Sequence, residues 1–218
     1  SLNADGKSGI FNVDKNLTLE NITLKNGTEP GDRTGAGAYV NSGVTLTMKG
    51  SSAITGCSAH KGGGVYVNGG TLIMQDSSTI SGCTAADKGG GVYVSGTFNM
   101  SGNASVDQNN DVYLESGKSI NITGTLVNRP AAKITPNEYS DGRILATGSA
   151  EKENFTVTPE NGNKFRRYKK KDGVVKFVRG KMTVKIENFI SVEEHDSTTD
   201  AEYFWTMTAG NENIHVLD

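Results

Sequence analysis

A repeat of about 26 residues limits this chain to very few folds. The string Gly-Gly-Gly-Val-Tyr-Val that begins at Gly62 returns at Gly89, and an earlier copy runs Gly-Ala-Gly-Ala-Tyr-Val from Gly35. Met48, Met74 and Met100 are 26 apart, as are Ile54, Ile80 and Val106, and also Cys57 and Cys83; Tyr39, Tyr66 and Tyr93 are 27 apart. A unit this short cannot bury its own apolar face, so successive units must stack and cover one another.

One period holds three stretches of strand character, as in Val65-Tyr-Val, Thr71-Leu-Ile-Met and Ser78-Thr-Ile, each bounded by Gly, Ser, Asn or Asp. Three strands and three turns close one coil. Coils stacked at the interstrand spacing of about 4.8 Å place equivalent residues above one another. The expected fold is all-β: a right-handed single-stranded parallel β-helix with three strands per coil. Val65, Val67, Leu72, Met74 and Ile80 point inward, with Val92, Val94, Phe98, Met100 and Val106 above them, while the tyrosines point out. The turn between first and second strands shortens from Asn41-Ser-Gly-Val to Asn68-Gly-Gly and then Ser95-Gly, and the strands keep register.

Fainter copies extend the pattern both ways: Phe11-Asn-Val, Leu17-Thr-Leu and Ile22-Thr-Leu before it, Val112-Tyr-Leu and Ile120-Asn-Ile after it. The link from Val106 to Tyr113 is much shorter than its counterparts. Gly142-Arg-Ile-Leu-Ala, Asn154-Phe-Thr-Val-Thr, Phe165 to Tyr168 and Gly173-Val-Val-Lys-Phe-Val are expected to form closing coils, which gives six to seven coils within residues 1–180. Residues 181–218 lack the glycine-rich repeat and carry two lysines against eight acidic residues. They are read as a C-terminal β cap or extension, or the start of a further domain.

The totals fit a narrow core: 34% of residues are hydrophobic, and 28 glycines stand against four prolines. A net charge of −2 gives no overall pull towards nucleic acid or an anionic membrane. No apolar run approaches the length of a membrane span and Ser1 to Ile10 holds no signal sequence, so the chain is expected to begin inside a parent protein or after a removed leader.

The recurring Gly-Gly-Gly-Val-Tyr-Val, followed by Phe98-Asn-Met-Ser-Gly-Asn, resembles the GGAI and FxxN repeats of polymorphic outer membrane proteins and related bacterial surface proteins, over roughly residues 10 to 178. Val stands here where that pattern has Ile. The resemblance implies a pectin-lyase-like β-helix, secreted or displayed at a bacterial surface or outer membrane. It implies an adhesin or passenger domain with a host or cell-surface glycan or protein as partner, and it brings no catalytic residue. A carbohydrate-binding or carbohydrate-cleaving β-helix, or a pure spacer, are the rivals.

Cleavage of polysaccharides needs clustered carboxylates for acid and base work or for calcium. The outward repeat positions are instead mainly Thr, Ser, Asn, Tyr and Gly, so no enzyme activity, metal or cofactor is expected. Tyr39, Tyr66, Tyr93 and Tyr113 form a ladder suited to stacking against sugar rings or a partner's apolar surface, or serve simply as strand residues. Stacking gathers Asp32, Arg33, His60, Lys61, Asp87 and Lys88 on loops at one edge, where they are either a polar site or a plain solvated rim. Arg166, Arg167, Lys169, Lys170 and Lys171 form a run able to attract polyanions, though Asp172-Gly173 after it reads more simply as a hairpin turn. Cys57 and Cys83, one coil apart, lie within the Cα separation a disulfide permits, but parallel stacking aims both side chains the same way, so stacked, buried thiols are expected ahead of a bridge.

Overall fold

The computed structural model describes residues 1–160 and 168–178 in full, and beyond them the backbone of four strands, Thr183–Ile186, Ser191–His195, Phe204–Thr208 and Ile214–Leu217. The chain winds into a parallel β-helix of about six turns with three long sheets. One sheet stacks Phe11–Val13, Ala38–Val40, Val65–Val67, Val92–Val94, Asp111–Leu114, Ala132–Pro136 and Phe155–Val157 in that order. In the second, Leu17, Leu46, Leu72, Phe98, Ile120 and Ala146 lie in one row; in the third, Leu24, Ile54, Ile80 and Val106 do. Alternation with period two buries these rows completely from Leu24 and Leu46 onward.

The glycine triplet explains how the coils approach each other. Gly62 holds φ +60°, a conformation that a side chain disfavours. A Cβ on Gly63 would stand 2.1 Å from the carbonyl oxygen of Thr84 in the coil above. The first glycine sets the bend, and the second lets two backbones meet.

Two features depart from the sequence reading. The segments expected as loops after the third strand form a short fourth strand in two coils, where Ser58–Lys61 pairs in parallel with Thr84–Lys88. A bulge between Ala85 and Lys88 adds one residue to the upper strand. That extra residue makes the Tyr66–Tyr93 spacing 27 where the cysteines keep 26, and the shorter Ser95-Gly96 turn then restores the register.

The second departure is at the C-terminal end. Ile144–Gly148 and Phe155–Val157 stack in parallel as closing strands, but Val174–Phe177 does not. It runs antiparallel to Ile144–Gly148 and forms a hairpin with Tyr168–Lys171. Asp172 and Gly173 sit at φ 54° and 77° in the turn, and a two-residue turn with both φ positive joins antiparallel strands only, since a parallel coil needs a far longer crossover. Val175 and Phe177 are buried against the last coil, so this hairpin covers the edge that a further coil would have used. Beyond it, Thr183–Ile186 pairs antiparallel with Ile214–Leu217, and Ser191–His195 with Phe204–Thr208.

Cys57 and Cys83 are free and buried, and the Thr84 N–H beside Cys83 donates to the Cys57 carbonyl at 2.8 Å. Among the described residues no helix is long and apolar enough to cross a membrane.

Candidate binding trough beside the tyrosine ladder

Pairing in the first sheet puts Asn12, Tyr39, Tyr66, Tyr93, Tyr113 and Thr135 in one outward row. Because the coil repeat is close to the thickness of an offset aromatic stack, the four rings lie face to face. Centroids are 5.3, 4.8 and 5.0 Å apart along the row, with planes 3°, 7° and 27° from parallel. The sequence reading offers these faces to a ligand; the structure spends most of them on one another. Tyr93 is 5% exposed and Tyr113 7%, whereas Tyr39 and Tyr66 remain half-buried.

The difference lies in the neighbouring edge. Thr34, Lys61 and Lys88 share a row on the fourth-strand side. The Lys61 ammonium lies 5.5 Å from the Tyr93 ring centre and the Lys88 ammonium 5.0 Å from that of Tyr113. Each lysine thus reaches the tyrosine one coil above it, and Thr34, the short residue in that row, cannot do the same for Tyr66. The polar tips are also fixed: Asn68 Nδ2 donates to the Tyr39 hydroxyl at 2.7 Å, and the Tyr93 hydroxyl donates to Glu115 Oε1 at 2.6 Å.

Two shallow grooves lie along this edge, and the first is bordered by a tyrosine of the ladder. At the N-terminal end a groove of about 380 Å³ is bordered by Phe11, Asn12, Glu29, Arg33, Thr34 and Tyr39. Further along, one of about 300 Å³ is bordered by residues that include Asp87, Lys88, Asn109, Asp111 and Thr135. The carboxylates here are bonded: Glu29 to the Gly9 N–H and to Arg33, Asp87 to Lys61, Asp111 to the Gly90 N–H. No group of three or more His, Cys, Asp or Glu among the described residues is placed to hold a metal ion.

The edge residues expected to gather largely do so. Arg33 and His60 are joined by a backbone bond of 2.9 Å, Lys61 and Lys88 are in register, and Asp87 bridges to Lys61 at 3.7 Å; Asp32 sits exposed in the preceding turn. The basic run does not join them. Lys169, Lys170 and Lys171 lie in the closing hairpin, with Lys170 bonded to Glu151 at 2.6 Å, while Arg166 and Arg167 fall outside the described residues. Sequence reasoning missed Thr34, Asn68, Glu115 and the buried Arg143, whose Nη2 donates to the Glu115 carbonyl at 2.9 Å. Thr34 alone had a signal, its alignment with two lysines one and two coils on.

Burial, with the Glu115 hydrogen bond next in weight, pushes the Tyr93 phenol above its ordinary value; burial and the nearby Glu160 charge push Tyr139 up to about 12. Both groups are neutral in the folded chain at pH values where the unfolded chain ionises them. Their stabilising contribution is therefore complete below pH about 10 and lost as pH rises through the higher folded values. Stability measured by urea titration is expected to fall on the alkaline side of pH 10, and Tyr93→Phe is expected to flatten that fall. An identical alkaline limb in the variant would contradict the assignment.

The fold and the trough define a class: a parallel β-helix carrying an aromatic ladder beside a charged edge. Comparison with protein-family models, with curated proteins and with solved structures returned no match.

Proposed function

We propose that this chain is a non-enzymatic binding module of a bacterial cell-surface or secreted protein, an adhesin- or passenger-type β-helix that offers its trough to a glycan. The observation that carries this reading is the pairing of a rigid aromatic ladder with a row of polar and charged groups fixed by main-chain pairing. Such a surface loses little conformational entropy when it binds. The bonded state of Asp87, Asp111 and Glu115 supports binding over cleavage, because acid–base hydrolysis of a glycoside uses a pair of carboxylates that face the substrate. The resemblance of the repeats to bacterial surface proteins supports the location.

The spacer reading has one observation in its favour: Tyr93 and Tyr113 are almost fully covered. A screen of the folded chain on immobilised neutral and acidic glycans separates the possibilities. The binding reading expects retention that Tyr66→Leu weakens. Retention of nothing favours the spacer, and release of new reducing ends from a polysaccharide moves the chain to the cleaving class.

A further inference from the structure

Each inner member of the tyrosine row is stacked on both faces, and the last, Tyr113, is 7% exposed. Tyr39 differs. One face rests on Tyr66, but the position below it in register is Asn12, an exposed amide too small to cover a phenol ring. The 380 Å³ groove opens at this point. Its size is at the lower end of pockets that hold small ligands, about 300–1,000 Å³.

We propose that the open face of Tyr39 is a subsite for one pyranose residue of a glycan; this rests on the binding reading above and names its ligand and place. The C–H face of a pyranose carries partial positive charge and meets the negative face of an aromatic ring, in the place a fifth tyrosine would take in the row. Its hydroxyls then radiate in the plane of the ring and need partners around the rim. The rim supplies both kinds. Asn41 Nδ2 donates to Asn12 Oδ1 at 2.7 Å, which fixes the Asn12 amide and leaves its Nδ2 to donate. The Glu29 carboxylate, held by the Gly9 N–H at 3.2 Å, accepts. Arg33 is joined to Glu29 only loosely, at 3.6 Å, and its 76% exposed side chain keeps N–H groups to give. Tyr39 itself is pinned by Asn68 and Tyr66, so the platform exists before the ligand arrives. A polar rim around a flat apolar face favours a sugar over an aromatic side chain, which would leave the rim groups desolvated and unpaired.

The test is saturation-transfer NMR on the full chain with methyl pyranosides and short oligomers of glucose, galactose, N-acetylglucosamine and galacturonic acid. Three variants run beside it: Asn12→Tyr, Tyr39→Leu and Arg33→Ala. The expected result is transfer concentrated on the C–H protons of one sugar face. Affinity should be about tenfold weaker or worse in Tyr39→Leu and in Asn12→Tyr, whose added ring fills the space inside the rim. Arg33→Ala should weaken binding while leaving the sugar face in contact unchanged. Asn12→Tyr extends the stack, so its thermal unfolding should match or exceed that of the parent, which separates blocked binding from lost fold. Sugar binding unaffected by Asn12→Tyr and Tyr39→Leu overturns this subsite but leaves the binding reading standing. Displacement by an aromatic dipeptide with no sugar bound overturns the ligand class, and no binding by the parent chain overturns both.

Discussion

Phe98→Ala is expected to lower the stability of the β-helix by about 3–5 kcal/mol, among the largest effects of any single side chain here. Phe98 is fully buried at the centre of the second sheet, in register with Leu72 below and Ile120 above. Each level of a solenoid core is a single coil packed between two others, so a hole at this level removes contacts from the coils on both sides. Backbone pairing at the interstrand spacing prevents those coils from closing the gap. Phe98→Leu restores the residue type that its own ladder carries at Leu46 and Leu72, and is expected to cost less than about 1.5 kcal/mol. Chemical unfolding followed by circular dichroism reads both. A loss below about 1 kcal/mol in the alanine variant would mean that the core is not continuous through this coil.

The second large effect belongs to a polar residue. In the lower coils the fourth strand pairs with its neighbour, so that Thr84 N–H bonds the Cys57 carbonyl at 2.8 Å. One coil further on, residues 107–110 turn directly from Ser105–Val106 into Asp111–Leu114, and no strand arrives to cover Cys83. The side chain of Asn110, 3% exposed, takes its place. Its Oδ1 accepts the Cys83 N–H at 3.1 Å and its Nδ2 donates to the Cys83 carbonyl. Asn110→Ala strands both backbone groups in the interior, at about 1–3 kcal/mol each, and is expected to speed hydrogen exchange at Cys83. In Asn110→Asp the carboxylate faces a carbonyl oxygen, which favours its protonated form in the folded chain. That variant should therefore be steadier below the ordinary aspartate value of about 4 and lose stability as pH rises through the higher folded value. Equal stability of all three proteins would show that water or a shifted backbone meets Cys83 instead.

Asn110 also marks the limit of reading by repeat. The shortened link between Val106 and Tyr113 is plain in the sequence, as is the replacement of the glycine triplet by Asn109-Asn110-Asp111. That an amide then stands in for a missing strand depends on which backbone groups the shortcut leaves bare, and only the stacked coils define those. The candidate site divides in the same way. The tyrosine row and the edge that holds Arg33, Lys61 and Lys88 follow from periodicity. The closure of Tyr93 and Tyr113, and the open face of Tyr39, follow from the reach of each side chain towards the coil above or below.

Coil length, the inward and outward alternation and the registration of like residues were all legible in the amino-acid order, because a repeat fixes local geometry and then reuses it. The hairpin turn at Asp172-Gly173 was legible too, but that it ends the repeat by packing on the last coil came only from the assembled fold. Asp172-Gly173 turns the chain antiparallel and seals one end with Val175 and Phe177, and at the other end of the ladder the absence of a tyrosine at Asn12 leaves an aromatic face uncovered. A stacked solenoid satisfies each residue through its neighbours one coil away, so its interior is periodic and readable, whereas residues where the repeat breaks lack an equivalent neighbour and meet whatever partner the fold brings to them.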